Sequence, residues 1–388
     1  MFKGKTVLKQ MQSFISGYDF KNAVSEYNGD KGIRVFSTHN LLSVMLYVHM
    51  SAKKSLRDIV DSLESKKNLW YHLGIKSLSR NNLSYSLMNR SHEIFEKTFY
   101  HLLHNLQKER GIVHDERFKF KMPLKTLDTT TISLCLSLFD WAKFRKRKGG
   151  IKLHLLYNNK DQLPEVVNMS NAVKHDIKMI DAFPITENSI YTFDKGYICF
   201  KFLEKIDKSR AYFVTRTKSN TQYRIIERRK KNHKRIKSDW IVKFKSYKSK
   251  DYPGKLRVVR YYDEDTKKTY EFMSNNFSLS AKTIADIYKA RWDIELFFKW
   301  IKQNLKIKTF IGTSENAVKI QIWTAMIAYL LTEFIRFISK TSYTILRTFR
   351  ILSENLLTNI DIFQLLMKKL PPPIKTENSG CQQLCLGF

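Results

Sequence analysis

Apolar side chains recur at helical spacing through the first 110 residues, as in THNLLSVMLYVHM (38–50) and NRSHEIFEKTFYHLLHNL (89–106). After Gly4, Gly17, Gly29, Gly32 and Gly74 interrupt them. The stretch from Ser55 to Arg90 predicts a helix, a turn at Gly74 and a second helix capped near Ser79. That pattern suits a helix-turn-helix element, with Arg80, Asn81, Asn82 and Arg90 available to DNA; it equally suits an ordinary packed helix pair. The period changes near Pro123. LKTLDTTTISL, GGIKLHLLYN, LPEVVNMS, SIYTFD and RAYFVTRTK are short β-rich runs bounded by Gly, Pro, Asn and Asp. AVKHDIKMIDAF and YICFKFLEKIDKS between them are better helices, and the alternation predicts a mixed α/β domain.

Residues 217–276 have a third texture: the dense basic run RIIERRKKNHKR, then the strand-like WIVKF, KLRVVRYYD and KTYEFMSN. Such a run is either a solvated face or, beside Tyr223, Trp240, Tyr247 and Tyr252, a surface for a nucleic-acid backbone. From residue 277 the chain is helical again, and PPP at 371–373 is expected to end order ahead of a flexible tail. The expected divisions are a helical, DNA-binding region (1–115), the first part of an α/β catalytic domain (120–216), a basic β insertion (217–276), the second part of the catalytic domain (277–335) and C-terminal helices with the tail (336–388). No internal repeat is visible.

Composition narrows the partners. With 69 Lys and Arg against 36 Asp and Glu in 388 residues, the formal net charge is +33. Nucleic acid is the expected partner of so basic a chain, although an AT-rich genome also favours lysine. The charge is spread along the chain rather than gathered on one amphipathic helix, which argues against a membrane-surface role. The longest uncharged apolar run, near IWTAMIAYLL, is too short to cross a bilayer, and MFKGKTVLKQMQSF has no apolar signal core. Cys135, Cys199, Cys381 and Cys385 form no ligand cluster and no C-x-x-C pair, so a reducing, cytoplasmic setting is expected.

One segment stands apart: YKARWDIELFFKWIKQ (288–303). On a single helix Tyr288, Arg291, Glu295 and Lys302 fall within about 60° of one another. Apolar residues cover most of the remaining surface, which predicts a buried helix carrying one polar line. Two further carboxylates sit in unusual places. Asp128 lies inside the strand-like LKTLDTTTISL, and Asp194 follows SIYTF where a strand ends and a helix begins. Each alone has an ordinary explanation: a paired strand residue, a turn, or an i,i+4 pair between Arg291 and Glu295. Together, on a basic α/β chain, they suggest carboxylates neutralised by a hard divalent cation.

These residues carry a resemblance. The Y-x2-R-x3-E-x6-K line of Tyr288, Arg291, Glu295 and Lys302 resembles the signature of DDE transposases from bacterial insertion sequences. TLDTT and FDKGY resemble the settings of that family's two aspartates, with Lys195 where arginine is commoner, and 287–323 resembles its last block. The likeness covers roughly residues 120–335 and is looser before 110. It implies a ribonuclease H-like catalytic domain with a β insertion before the Glu295 helix. It implies that Asp128, Asp194 and Glu295 are catalytic and hold two Mg2+ ions, or Mn2+ in their place, about 3.5–4 Å apart. One ion would activate water or a 3′-OH, the other would stabilise the leaving oxygen, and no covalent protein–DNA intermediate is needed. Tyr288, Arg291 and Lys302 would grip transposon-end DNA.

Three further residues are candidates for DNA contact, each with an ordinary structural alternative. Lys152 and His154 alternate on IKLHLL and so share a strand face, expected near Asp128, and Arg216 closes YFVTR within reach of a phosphate. The expected activity is metal-dependent cleavage and strand transfer at inverted-repeat ends by a homodimer on double-stranded DNA, with a hairpin route implied. The alternatives are a catalytically inactive or domesticated DNA-binding descendant, and a plain metal-dependent nuclease.

Overall fold

Serine side chains start most of the N-terminal helices. The computed structural model describes residues 4–111, 115–135, 138–145, 148–172, 176–245, 250–305, 307 and 310–367. Helices α1 (Val7–Gln12), α2 (Gly17–Glu26), α3 (Thr38–Ser51), α4 (Leu56–Glu64), α5 (Trp70–Leu73), α6 (Arg80–Asn89) and α7 (Glu93–Arg110) precede the sheet. Ser16, Ser37, Ser55 and Ser79 each accept an N–H three residues on, satisfying amides that the first helical turn leaves open. Gly74 closes α5 at φ +70°, a conformation a side chain disfavours, so the expected turn and the Ser79 cap both occur.

The sheet strands are β1 (Leu124–Leu134), β2 (Lys143–Arg145), β3 (Lys148–Asn158), β4 (Leu163–Asn171), β5 (Ile190–Phe193), β6 (Tyr212–Arg216), β7 (Tyr223–Arg228), β8 (Ile236–Phe244), β9 (Leu256–Asp263) and β10 (Lys268–Ser274), with α8 (Phe200–Lys208) between β5 and β6. The helices after them are α9 (Ala281–Ala290), α10 (Trp292–Asn304), α11 (Glu315–Ile338), α12 (Ile345–Glu354) and α13 (Ile362–Met367). Along the sheet the order is β2-β3-β1-β5-β6-β10-β9-β8-β7, and β4 also pairs with β3. β3 runs antiparallel to β1 and β4, while β5 and β6 run parallel to β1. The strands of the basic segment therefore extend the same sheet, joined through β10 to β6.

The two faces of β1 meet different helices. Ile132 and Leu134 pack in one cluster with Ile294, Phe297, Phe298 and Ile301 of α10. Leu127 packs on the other side with Phe202, Leu203 and Ile206 of α8. Asp128 and Thr130 share the α10 side because side chains alternate along a strand. The α10-side core is continuous with α1–α7 and α11–α13. Val7 and Leu8 donate backbone N–H bonds to Thr358 and Leu356, and Gln10 bonds Ile360 and Ile362, so the start of the chain is tied to its C-terminal helices. α11, at 24 residues, is long and apolar enough to cross a membrane, but it is buried among other elements here and serves as a core helix.

Three local expectations are corrected. AVKHDIKMIDAF supplies only a 3-10 turn, Asp176–Ala182, among the described residues. The basic run contains an edge strand, β7, that its composition concealed. The segment around Arg291 is two helices, not one, and it is not buried all round: Trp292 and Leu296 are 58% and 62% exposed. The expected C-terminal tail, with its PPP, lies outside the described residues.

Candidate active site

The register of two parallel strands brings the aspartates together. Leu127 of β1 stands beside Phe193 of β5, and one step further along each strand come Asp128 and Asp194. Asp194 caps the short turn Lys195–Tyr197, its Oδ1 accepting the Gly196 N–H at 2.9 Å. Asp128 Oδ1 accepts the Thr129 N–H at 2.8 Å. Glu295 arrives from α10, which packs over β1 on the Asp128 side.

Arg291 joins them. Its guanidinium donates to Asp128 Oδ2 at 3.2 Å and to Glu295 Oε1 at 2.6 Å. It is nearly buried, with Tyr288 and Trp292 rings 5.6 and 6.0 Å from it. Burial pulls its pKa down, but Tyr288, Asp128 and Glu295 outweigh that and hold it above the ordinary arginine value. Burial is also the main reason that the Asp128 carboxyl is pushed up to about 6; Glu295 and Asp194 add to the shift, while the Thr129 amide and Arg291 oppose it. Burial raises the Tyr288 phenol as well, against the pull of Arg291. Both partners of the expected i,i+4 pair are thus present, and a third, from a strand 163 residues away, shares the cation.

Lys302 reaches β1 near Asp128: its Nζ donates to Thr130 Oγ1 and, at 3.0 Å, to the Thr131 carbonyl. Arg216 ends β6 with its guanidinium 4.8 Å from the Tyr270 ring. It lines an open cleft of about 800 Å3 together with Asp194, Tyr288, Arg291 and Trp292. It also lines an adjoining groove of about 740 Å3 with Lys195, Lys218 and Lys245. Composition hinted at those lysines only in bulk; their convergence comes from β6, β8 and the loop after β5.

Lys152 and His154 are not beside Asp128. Asp128 stands opposite Leu155, and His154 opposite Thr129, so both residues face the other side of the sheet. The error lay in the register, which period-2 alternation on one strand cannot give. His154 is buried, with Nδ1 bonded to Thr129 Oγ1 at 2.8 Å and Nε2 to Ser170 Oγ at 2.8 Å, and the Thr129 hydroxyl also meets that of Tyr197. In the N-terminal region Arg80 and Asn81 are exposed on α6. Arg90 is buried and donates to the Phe36 carbonyl at 2.9 Å, so it is not available to DNA as expected.

Among the described residues no three His, Cys, Asp or Glu side chains stand close enough to enclose a metal ion as they are. The donor chemistry nevertheless fits one. The three groups are oxygen donors alone, which suits a hard divalent cation, and two of them already share a positive charge.

Carboxylates on β1, just after β5 and on α10, with a lysine-lined groove adjoining, are a set of groups that suits phosphoryl transfer on nucleic acid. Residues 119–331 match the transposase DDE domain, and residues 3–76 match a domain of unknown function, DUF4372. A putative transposase, y4zB, of Sinorhizobium fredii is 32% identical over 72% of this chain and 77% of its own length. A probable transposase for insertion sequence element IS5377 of Geobacillus stearothermophilus is 26% identical over 86% of each chain. The piggyBac transposase, solved as a synaptic complex with hairpin DNA, shares the fold at a TM-score of 0.51 and 8% identity, over 97% of this chain and 83% of that one. The chain belongs to the DDE transposase family. It is a DNA transposase of the insertion-sequence class, and membership carries a general dependence on divalent metal.

Proposed function

We propose that Asp128, Asp194 and Glu295 are the catalytic, metal-binding triad, and that the enzyme cleaves and joins DNA at the inverted-repeat ends of its element. The observation that carries this reading is Arg291, whose one guanidinium bridges carboxylates from β1 and α10 while Asp194 directly follows β5, the strand beside Asp128's. The antiparallel β4-β3-β1 set followed by parallel β5 and β6 supports a ribonuclease H-like core. On this reading 120–216 and 277–335 form the catalytic domain, 217–276 is inserted, 1–115 binds DNA and 336–388 is the C-terminal region.

Two bound Mg2+ ions, or Mn2+, would supply a nucleophile at neutral pH and charge stabilisation at the phosphate. The chain's own groups do the rest. Asp128, Asp194 and Glu295 supply the oxygen ligands. Arg291 turns from the carboxylates to a phosphate oxygen once their charge is met otherwise, keeping its cation in use. Tyr288 and Arg216 in the cleft, and Lys302 against Thr130 of β1, hold the DNA end, and Lys195, Lys218 and Lys245 line the adjoining cationic groove. Of the further sequence candidates, Lys152 and His154 could touch DNA only from the opposite face, and the occupied ring of His154 favours a packing role. Water attacks and a 3′-oxygen leaves in cleavage; that 3′-OH attacks in strand transfer. A hairpin on the end, and a homodimer pairing two ends in a bacterial cytoplasm, complete the proposal.

The test is end cleavage and gel shift on the same preparations of Asp128→Ala, Asp194→Ala and Glu295→Ala. Each is expected to bind end DNA like the parent and to lose nicking. Parental cleavage by any one removes that residue from the triad.

A further inference from the structure

Asn159 follows β3 directly, is 1% exposed, and uses its whole amide to join the elements that bear Asp128 and Glu295. Its Oδ1 accepts from Thr126 Oγ1 at 2.6 Å, on the same side of β1 as Asp128 and two residues before it. Its Nδ2 donates to the Ala290 carbonyl at 2.8 Å and to Asp293 Oδ2 at 3.0 Å. Its backbone N–H goes to the Leu124 carbonyl at 3.0 Å. Arg117 closes the group, with Nη1 2.8 Å from Asp293 Oδ2 and Nη2 3.3 Å from the Asn159 carbonyl.

Ala290 and Asp293 flank Arg291, where α9 stops and α10 begins. In an unbroken helix the Ala290 carbonyl would accept the Ile294 N–H. Here Ile294 donates to the Arg291 carbonyl at 3.3 Å, and Asn159 takes the acceptor so released. Neither Gly nor Pro lies at the break. A side chain inserted into the helical ladder is a sufficient cause.

We infer that Asn159 is a positioning residue: by holding this break against β1 it sets Arg291 and Glu295 opposite Asp128, and so sets the affinity of the carboxylates for a divalent cation. The inference rests on the triad proposed above. Asn159 acts through Ala290, Asp293 and Thr126.

The test titrates Mn2+ into the full chain and reads the rise in melting temperature. Asn159→Ala and Asn159→Asp, which sets a carboxylate against the Ala290 carbonyl and Asp293, are expected to need about tenfold more Mn2+ or worse, as when groups that orient a ligand are lost. Thr126→Val removes one bond, keeps the side-chain shape, and is expected to shift the requirement less in the same direction, which covers poor folding of the Asn159 variants. Asn275→Ala is the control. That residue is equally embedded, bonded to Asp207, Ala211 and Phe213 away from α10, and its loss is expected to lower the melting temperature with an unchanged Mn2+ requirement. A parental requirement in Asn159→Ala, or equal shifts in Asn159→Ala and Asn275→Ala, overturns the positioning role. If Asp128→Ala keeps the parental response to Mn2+, the triad reading fails and this inference with it; if Asp128→Ala loses the response while the Asn159 and Thr126 variants keep it, only this inference fails.

Discussion

Arg291 shows what one side chain contributes at this site. Its guanidinium pairs with both Asp128 and Glu295. Replacing it by Gln leaves two carboxylates facing each other. Breaking a fully buried pair costs about 3–5 kcal/mol. Glu295 is a third exposed, so roughly 1–3 kcal/mol is expected here after solvent screening. Arg291→Gln should therefore melt lower without metal, recover with Mn2+, and still fail in end cleavage. Unchanged melting together with parental cleavage would make Arg291 a bystander. Asp128 adds a pH signature. Its folded pKa, about 6, lies above the ordinary 3.8, so the folded state prefers the protonated acid. Without metal, this group's contribution is fully present below pH 3.8 and is lost as pH rises through about 6. A divalent cation needs the ionised form, so Mn2+ should raise the melting temperature little at pH 5 and much more at pH 7.5. An increment independent of pH would place the ion elsewhere.

At the scale of elements, β1, β3, β4, β5 and β6 were legible because each is an apolar or alternating run between turn residues. Asp128 and Asp194 could be singled out because ionised groups are rare in such runs. Register was not legible, which is why His154 was expected beside Asp128 when it packs against Thr129 and Ser170 on the far face. β7 was hidden because both of its faces are exposed, leaving no alternation to read. The break at Arg291 was hidden because its cause, Asn159, lies 131 residues away from Ala290 in sequence. In the N-terminal region, deletion of 1–110 is a poor test of DNA reading, since α1–α7 share a core with α11–α13. Point changes on the exposed face of α6 are better. Arg80→Ala and Asn81→Ala should reduce the preference for end DNA over random DNA while leaving the melting temperature near the parental value. Retained preference in both would exclude α6 from base reading.

Over the whole molecule, the chain closes on itself. α7 and α11 are locked by Arg110 and Glu333, 2.8 Å apart and both nearly buried, with Arg336 adding a second contact to Glu333 at 2.9 Å. The sheet runs without interruption from β2 to β7, so the basic strands share one sheet with β1 and β5, beside which the proposed triad lies. With a net charge of +33, phosphate contacts are expected to be the main source of DNA affinity. End binding should weaken log-linearly with salt, each neutralised phosphate adding about −0.9 to the slope. Lys218→Gln with Lys245→Gln should flatten that slope without altering the preference for end DNA; an unchanged slope would take the groove off the DNA path. The central claim is that carboxylates far apart in sequence hold the same divalent ions between them. It can be measured directly by loading the full chain with Fe2+, adding ascorbate and peroxide, and mapping where the backbone is cut. Cuts are expected near residue 128 on β1, near 194 after β5 and near 291–295 at the helix break, all suppressed by excess Mg2+. Cuts at one of these places alone, or at none, would contradict it.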